Sequence, residues 1–285
     1  MENKVLKTSN FEKIVNSLEG ENIKRGIITR ITKDADIIVT LNEELEGVGR
    51  ETYLVVIPAS ESILYVPKHF KTLKDNTRML EYMSMYIGSN IPFIVQEVEK
   101  DDNGTVLGVK ASMKLARDKS LERLEKMNLP VPRKININIL GAVDTYLVAE
   151  WEGMVQTISA RQISHAEIPS VREFISRNKL GQFMLTSIDY SRKSFVADRC
   201  DVVPNKFLEK VYEKKLYRKG DHCLGIIRGK TASGLLIIEV EPEIMGIANM
   251  PNNLELRMNE KITCEITGFN KKKNKIMLGN IRKQH

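Results

Sequence analysis

"RGIITRITKDADIIVTL", residues 25–41, and "KGDHCLGIIRGKTASGLLIIEV", residues 219–240, decide the fold, because they are two versions of one pattern. Each holds an apolar-alternating run, a polar turn and a second alternating run, with Gly26 and Gly225 in matching places. A strand sends successive side chains to opposite faces, so such runs predict strands with one buried face. "KININILGAVDTYLVAEWEGMV", residues 134–155, is a looser third copy. Each opening is followed by a related closing hairpin: "GSNIPFIVQEVEKDDNGTVLGVK" (88–110), "LGQFMLTSIDYSRKSFVADR" (180–199) and "MNEKITCEITGFNKKKNKIMLGNIR" (258–282). Three units of similar plan follow one another.

Short alternating strands separated by turn chemistry such as Asp101-Asp102-Asn103-Gly104 predict small antiparallel sheets curled into barrels. The expected fold is therefore all-β, with three tandem five-stranded barrels joined by helices. Residues 1–20 read as a short N-terminal helix, opened by a capping box at Ser9 and Glu12 and closed by Gly20. The first barrel takes residues 21–110, and a helical linker takes 111–132, where Leu115, Leu121, Leu124 and Met127 recur at helical spacing before Pro130 and Pro132. A second, divergent barrel takes 133–203. A second helical linker, 204–219, puts Phe207, Val211 and Leu216 on one stripe, and the third barrel fills 220–285. Packing against the barrels is the expected use of both stripes.

Composition narrows the class. The 285 residues are 42% hydrophobic and 28% charged, and no apolar run approaches the ~18 residues of a membrane span. The first twenty residues lack the apolar stretch of a secretory signal, and three widely spaced cysteines, Cys200, Cys223 and Cys264, suit neither a disulfide framework nor a zinc knuckle. A reducing cytoplasm is the expected location. Net charge is +7, and residues 204–285 hold 16 basic and 9 acidic residues against 28 of each in the remainder. The whole excess sits in the last segment, the footprint of a phosphate-bearing partner.

The third unit, "KGDHCLGIIRGKTASGLLIIEV" through "EIMGIANM" to "LRMNEKITCEITGFNKKKNKIMLGNI", resembles the RNA-binding repeat of bacterial ribosomal protein S-one, a barrel of the OB type. The first two units resemble that protein's opening repeats, in "RGIITRITKDADIIV", "VIPASE" and the helix after the first barrel. The resemblance implies a ribosome-associated role in translation, with the last barrel on RNA and the front barrels docked on protein. It also implies positions. Where the family has two aromatics and a histidine for stacking bases, this chain has Ser233, Leu236 and Asn249, and the family's polar and basic hairpin positions fall on Asn270 and Lys275. In the first unit Pro58 stands in the histidine's place.

Catalytic chemistry is not announced. Gly229-Lys230-Thr231 matches the end of a phosphate-binding loop, but no glycine stands at Leu224, where the pattern needs one. The four histidines lie far apart without metal-ligand spacing, and no nucleophile elbow occurs. No catalytic residue, metal or cofactor is expected, and no membrane contact. What remains is binding. Arg228, Lys230, Lys271, Lys272 and Lys273, with Asn270 and Lys275, would track phosphates, and Tyr146 and Trp151 are the candidate stacking side chains. The expected function is a non-catalytic binder of single-stranded RNA or another single-stranded nucleic acid. The alternative is a docking protein of a larger assembly, such as a virus particle, that keeps the barrels without the nucleic acid. On that alternative the triple lysine is a solvated hairpin tip.

Overall fold

The computed structural model describes residues 22–45, 49–71, 76–100, 106–251 and 254–284. The expected N-terminal helix and the Asp101–Gly104 turn lie outside them. Strands β1 (Lys24–Ile31), β2 (Ile37–Leu45), β3 (Gly49–Ile57), β4 (Asn90–Lys100) and β5 (Val106–Ser112) close a barrel in the order β1-β2-β3-β5-β4. All pairs are antiparallel except β3 with β5, which is parallel. Ile28, Ile37, Val39, Val55, Ile57 and Phe93 alternate into its interior. Between β3 and β4 the chain forms α1 (Lys68–Lys71) and α2 (Thr77–Met83), and Tyr86 plugs the core from the turn that follows.

Strands β12 (His222–Lys230), β13 (Leu236–Glu241), β14 (Ile244–Ala248), β15 (Lys261–Asn270) and β16 (Lys275–Lys283) close a second barrel in the same order. The repeat extends to its irregularities. β1 carries a bulge between Ile28 and Arg30, and β12 carries one between Ile227 and Gly229. Bulges bend a strand and let a short sheet close on itself. Gly26 and Gly225 play one role: a Cβ at Gly26 would stand 2.5 Å from Val39 Cγ1 and 2.7 Å from Thr40 O, and one at Gly225 would collide with Ile238 Cγ2. Each lets the first strand cross the second closely.

The middle unit corrects the expectation of a third barrel. Its strands are β6 (Arg133–Ile135), β7 (Asn138–Ala142), β8 (Tyr146–Trp151), β9 (Met154–Ser159), β10 (Phe183–Asp189) and β11 (Ser194–Asp198). They form two three-stranded sheets, β7-β8-β9 and β11-β10-β6. The pairing follows the barrels' sequence, but Asn136 and Ile137 split the first strand into β6 and β7, and no ladder joins β9 to β11. The edge of β11 is taken instead by α4 (Ala160–Ile163): Gln162 Nε2 donates to Ala197 O at 3.3 Å, and Arg199 N donates to Gln162 O at 2.8 Å.

The middle unit shares its cores with both neighbours. Leu140 and Val148 belong to the first barrel's cluster, and Ile237 and Met245 of the second closed barrel belong to the middle unit's cluster, with Phe174, Phe183 and Phe195. The first linker is α3 (Met113–Met127), capped by Ser112 Oγ, which accepts from Leu115 N at 3.1 Å. Its inner face is Met113, Ala116, Leu121 and Leu124, while Leu115 and Met127 are exposed, so the predicted stripe is half right. In the second linker Phe207, which caps a π-helical turn at Leu208–Glu213, and Val211 within it are buried, but Leu216 lies beyond that turn and is exposed.

Candidate nucleic-acid interface

The hairpin joining β15 to β16 ends in a short helical turn at Lys271–Lys273. Asn270 Oδ1 accepts from Lys273 N at 3.1 Å, and Asn274 takes the left-handed conformation at φ 49°. Asparagine tolerates that conformation because its short amide bonds locally. The tip is fastened to the middle unit: Asn274 Nδ2 donates to His165 O at 3.1 Å, and the Lys275 ammonium pairs with the Glu167 carboxylate. These anchors fix the direction of the three lysines between them.

Lys271 turns toward the barrel's own linker, its Nζ 5.1 Å from the centroid of the Tyr212 ring. Lys272 and Lys273 line a groove of about 720 Å3 whose other wall is α4 and the segment after it, including Arg161 and His165, with Cys200 from the turn after β11. Arg161, Lys272 and Lys273 are exposed and pair with no carboxylate among the described residues. Glu167 also lines the groove, and Lys275 engages it. Cys200 donates from Sγ to Arg161 O at 3.4 Å, and burial, reinforced by Asp198, pushes its thiol up to about 12. That thiol is no nucleophile at neutral pH.

The other predicted positions divide. Lys230, Ser233 and Asn249 are exposed, Lys230 at the end of β12, Ser233 in the turn between β12 and β13 and Asn249 just after β14. Arg228 is committed: its Nε donates to Glu239 Oε2 at 2.5 Å and its Nη1 to Asn259 Oδ1 at 2.6 Å, while Arg177 of α5 (Val171–Arg177) reaches the same Glu239 oxygen at 2.7 Å. Two positions are corrected. Leu236 begins β13 pointing inward and is fully buried, and Lys275 is only 4% exposed beneath Glu167. Neither presents a surface to a ligand. Tyr146 is also withdrawn, its hydroxyl 3.1 Å from that of Tyr82 and its ring edge-on to Tyr65. Trp151 stays half-buried on the surface of the middle unit, edge-on to Phe195.

Sequence reading missed Arg161 as a site residue. It lies 111 positions before Lys272, and contacts between distant units, the Asn274 and Lys275 anchors among them, bring the two together. Among the described residues no helix is long and apolar enough to cross a membrane, and no cluster of three His, Cys, Asp or Glu could hold a metal.

No family model matches the chain, and no curated protein matches it. Among solved structures it is similar to a multidomain protein with nucleic acid binding domains from Streptococcus pneumoniae, at 11% identity over 91% of this chain and 73% of that one. The TM-score is 0.20, and a likeness at that level carries no argument about this chain.

Proposed function

We propose that the chain is a non-catalytic binder of single-stranded RNA, which it holds by phosphates in the groove between the last barrel and the middle unit. The observation that carries the reading is the convergence of Arg161, Lys272 and Lys273, from two units, on one groove whose lining carboxylate, Glu167, is taken by Lys275. Two closed barrels with one strand order and the sequence resemblance to ribosomal S-one repeats support the class of ligand. On this reading the front of the molecule attaches it to a ribosomal or other protein assembly in the cytoplasm. Two exposed apolar side chains on the first barrel, Ile27 and Leu54 on either side of Thr40, fit that use, Leu54 being 64% exposed.

The test is fluorescence anisotropy of a labelled oligoribonucleotide over a range of salt. Each phosphate contact to a single strand contributes about 0.7 to the slope of log affinity against log salt. Replacing Lys272 and Lys273 with Gln therefore lowers affinity and flattens that slope by about 1.4, with stability changed by no more than roughly 0.5 kcal/mol. Wild-type affinity and slope in this variant would sink the proposal.

A second reading has its own observation. OB-type barrels hold strands on the outer face of their second and third strands, and here Ile237 of β13 and Met245 of β14 point outward into the middle unit's core. A docking protein that had lost its nucleic acid would bury that face. It shows no salt-dependent affinity for the oligonucleotide at all.

A further inference from the structure

We propose a second contact for the strand, at Trp151, where the indole forms the seat of one unpaired base. The proposal takes its ligand class from the reading above but not its lysines. β8 ends at Trp151, and the tight turn that follows, with Glu152 at φ 49° and Gly153 at φ 78°, leaves the indole at the sheet's end. Phe195 meets it edge-on at 5.7 Å between ring centroids, which fixes the ring's tilt. Two grooves adjoin there and share Asn136, Trp151 and Glu152, one of about 510 Å3 bearing Arg133 and Lys134 and one of about 410 Å3 bearing Arg25.

The carboxylates in this groove are already neutralised. Glu150 accepts from Arg25 at 2.5 Å and from Gly153 N at 2.8 Å, and Glu152 pairs with Arg123. Arg133 and Lys134 are left over, both exposed and without a carboxylate partner among the described residues. A flat ring that shares a groove with two uncommitted cations is the pairing that single-strand binders use, the ring for the base and the cations for the phosphates. The hairpin groove is lined by Arg161, Lys272 and Lys273 but by no Trp, Tyr or Phe, so this groove supplies what that one lacks. An acidic peptide would satisfy the cations alone, and the ring beside them is what selects a nucleobase.

Trp151 is the chain's single tryptophan, so its own emission reports the site. The full chain is titrated with a short oligouridylate while binding is followed in parallel by anisotropy of a labelled copy. Quenching of Trp151 emission that tracks the anisotropy is expected. Trp151→Leu should weaken binding by roughly 5- to 150-fold, the range for a lost base stack. Arg133→Gln with Lys134→Gln, both at exposed positions, should keep the fold and weaken binding and quenching together, which tests the site even if Trp151→Leu fails to fold. Full anisotropy with unchanged Trp151 emission overturns this site and leaves the hairpin reading standing. Quenching kept in Lys272→Gln with Lys273→Gln, at an unchanged salt slope, sinks the hairpin reading and supports this one. Absence of binding in both channels, or quenching by oligoglutamate in place of oligouridylate, overturns the proposal.

Discussion

Arg199 and Glu243 face each other across the junction of the middle unit and the last barrel, both almost without exposure. Arg199 Nη1 donates to Glu243 Oε2 at 3.2 Å and Nη2 to Oε1 at 3.1 Å, while Nε and Nη1 also donate to Leu180 O and Ile163 O. Every nitrogen of the guanidinium thus donates, and Lys206 stands 3.5 Å from the same carboxylate. A buried pair of this kind fixes how two pieces sit more than it adds net stability.

Arg199→Leu is therefore expected to cost roughly 3 to 5 kcal/mol in urea unfolding, because it strands a buried carboxylate, and adding Glu243→Leu should recover part of that loss. Burial on its own would raise the Glu243 carboxyl, but the hydrogen bonds and charge of Arg199, with Lys206, outweigh it and hold the group below its ordinary 4.5. Its contribution is then present above 4.5 and lost as pH falls through the lowered value. The deficit of Arg199→Leu against wild type should shrink on acidification below about pH 4.5, and a deficit independent of pH would contradict the assignment.

Gly26→Ala should destabilise by roughly 1 to 3 kcal/mol, the usual range for overpacking. The new methyl meets a backbone oxygen, Thr40 O, as well as Val39. Gly225→Ala should cost less, since only the Ile238 side chain stands in the way and the nearest backbone oxygen is 3.6 Å off. Thermal melts of the two variants rank them, and the reverse order would refute the reading.

The thiols should react in a set order at pH 7 to 8. Cys223 and Cys264 are cross-strand partners with sulfurs 3.5 Å apart. The hydrogen bond from Cys264 lowers Cys223, the same bond and burial raise Cys264, and burial raises Cys200 to about 12. Since the thiolate is the reactive species, peptide mapping after brief iodoacetamide treatment should find Cys223 labelled first. Labelling of Cys200 ahead of it would show that these surroundings are wrongly read.

Both closed barrels were legible in the sequence because their logic is local. Gly26 and Gly225 recur at one place in one alternating pattern, and the pattern fixes which side chains face in. The middle unit was not legible for the opposite reason. Its alternation at 134–155 does make strands, but whether they close depends on Gln162 taking the edge of β11 and on Ile237 and Met245 completing its core from far along the chain. The same division runs through the site. The lysine-rich tip could be read from composition, and the inward turn of Leu236 was available from its alternation with Ile238. Lys275 looked like one more surface cation, and only Glu167, more than a hundred residues earlier, takes it out of reach.

The split first strand of the middle unit leaves β7 as the outer member of its sheet, with a row of backbone groups that a neighbouring chain could pair with. The first barrel stands in the way. Ser89 Oγ donates to Leu140 O at 2.5 Å, and Asn138 Nδ2 donates to Asn90 O at the same distance. The side of Gly141 is closed by Met85, which a Cβ there would strike at 2.8 Å. An unguarded edge invites intermolecular sheet growth. The first barrel thus acts as a gatekeeper against self-association, and chains lacking it should come out of expression as aggregates where the whole chain does not.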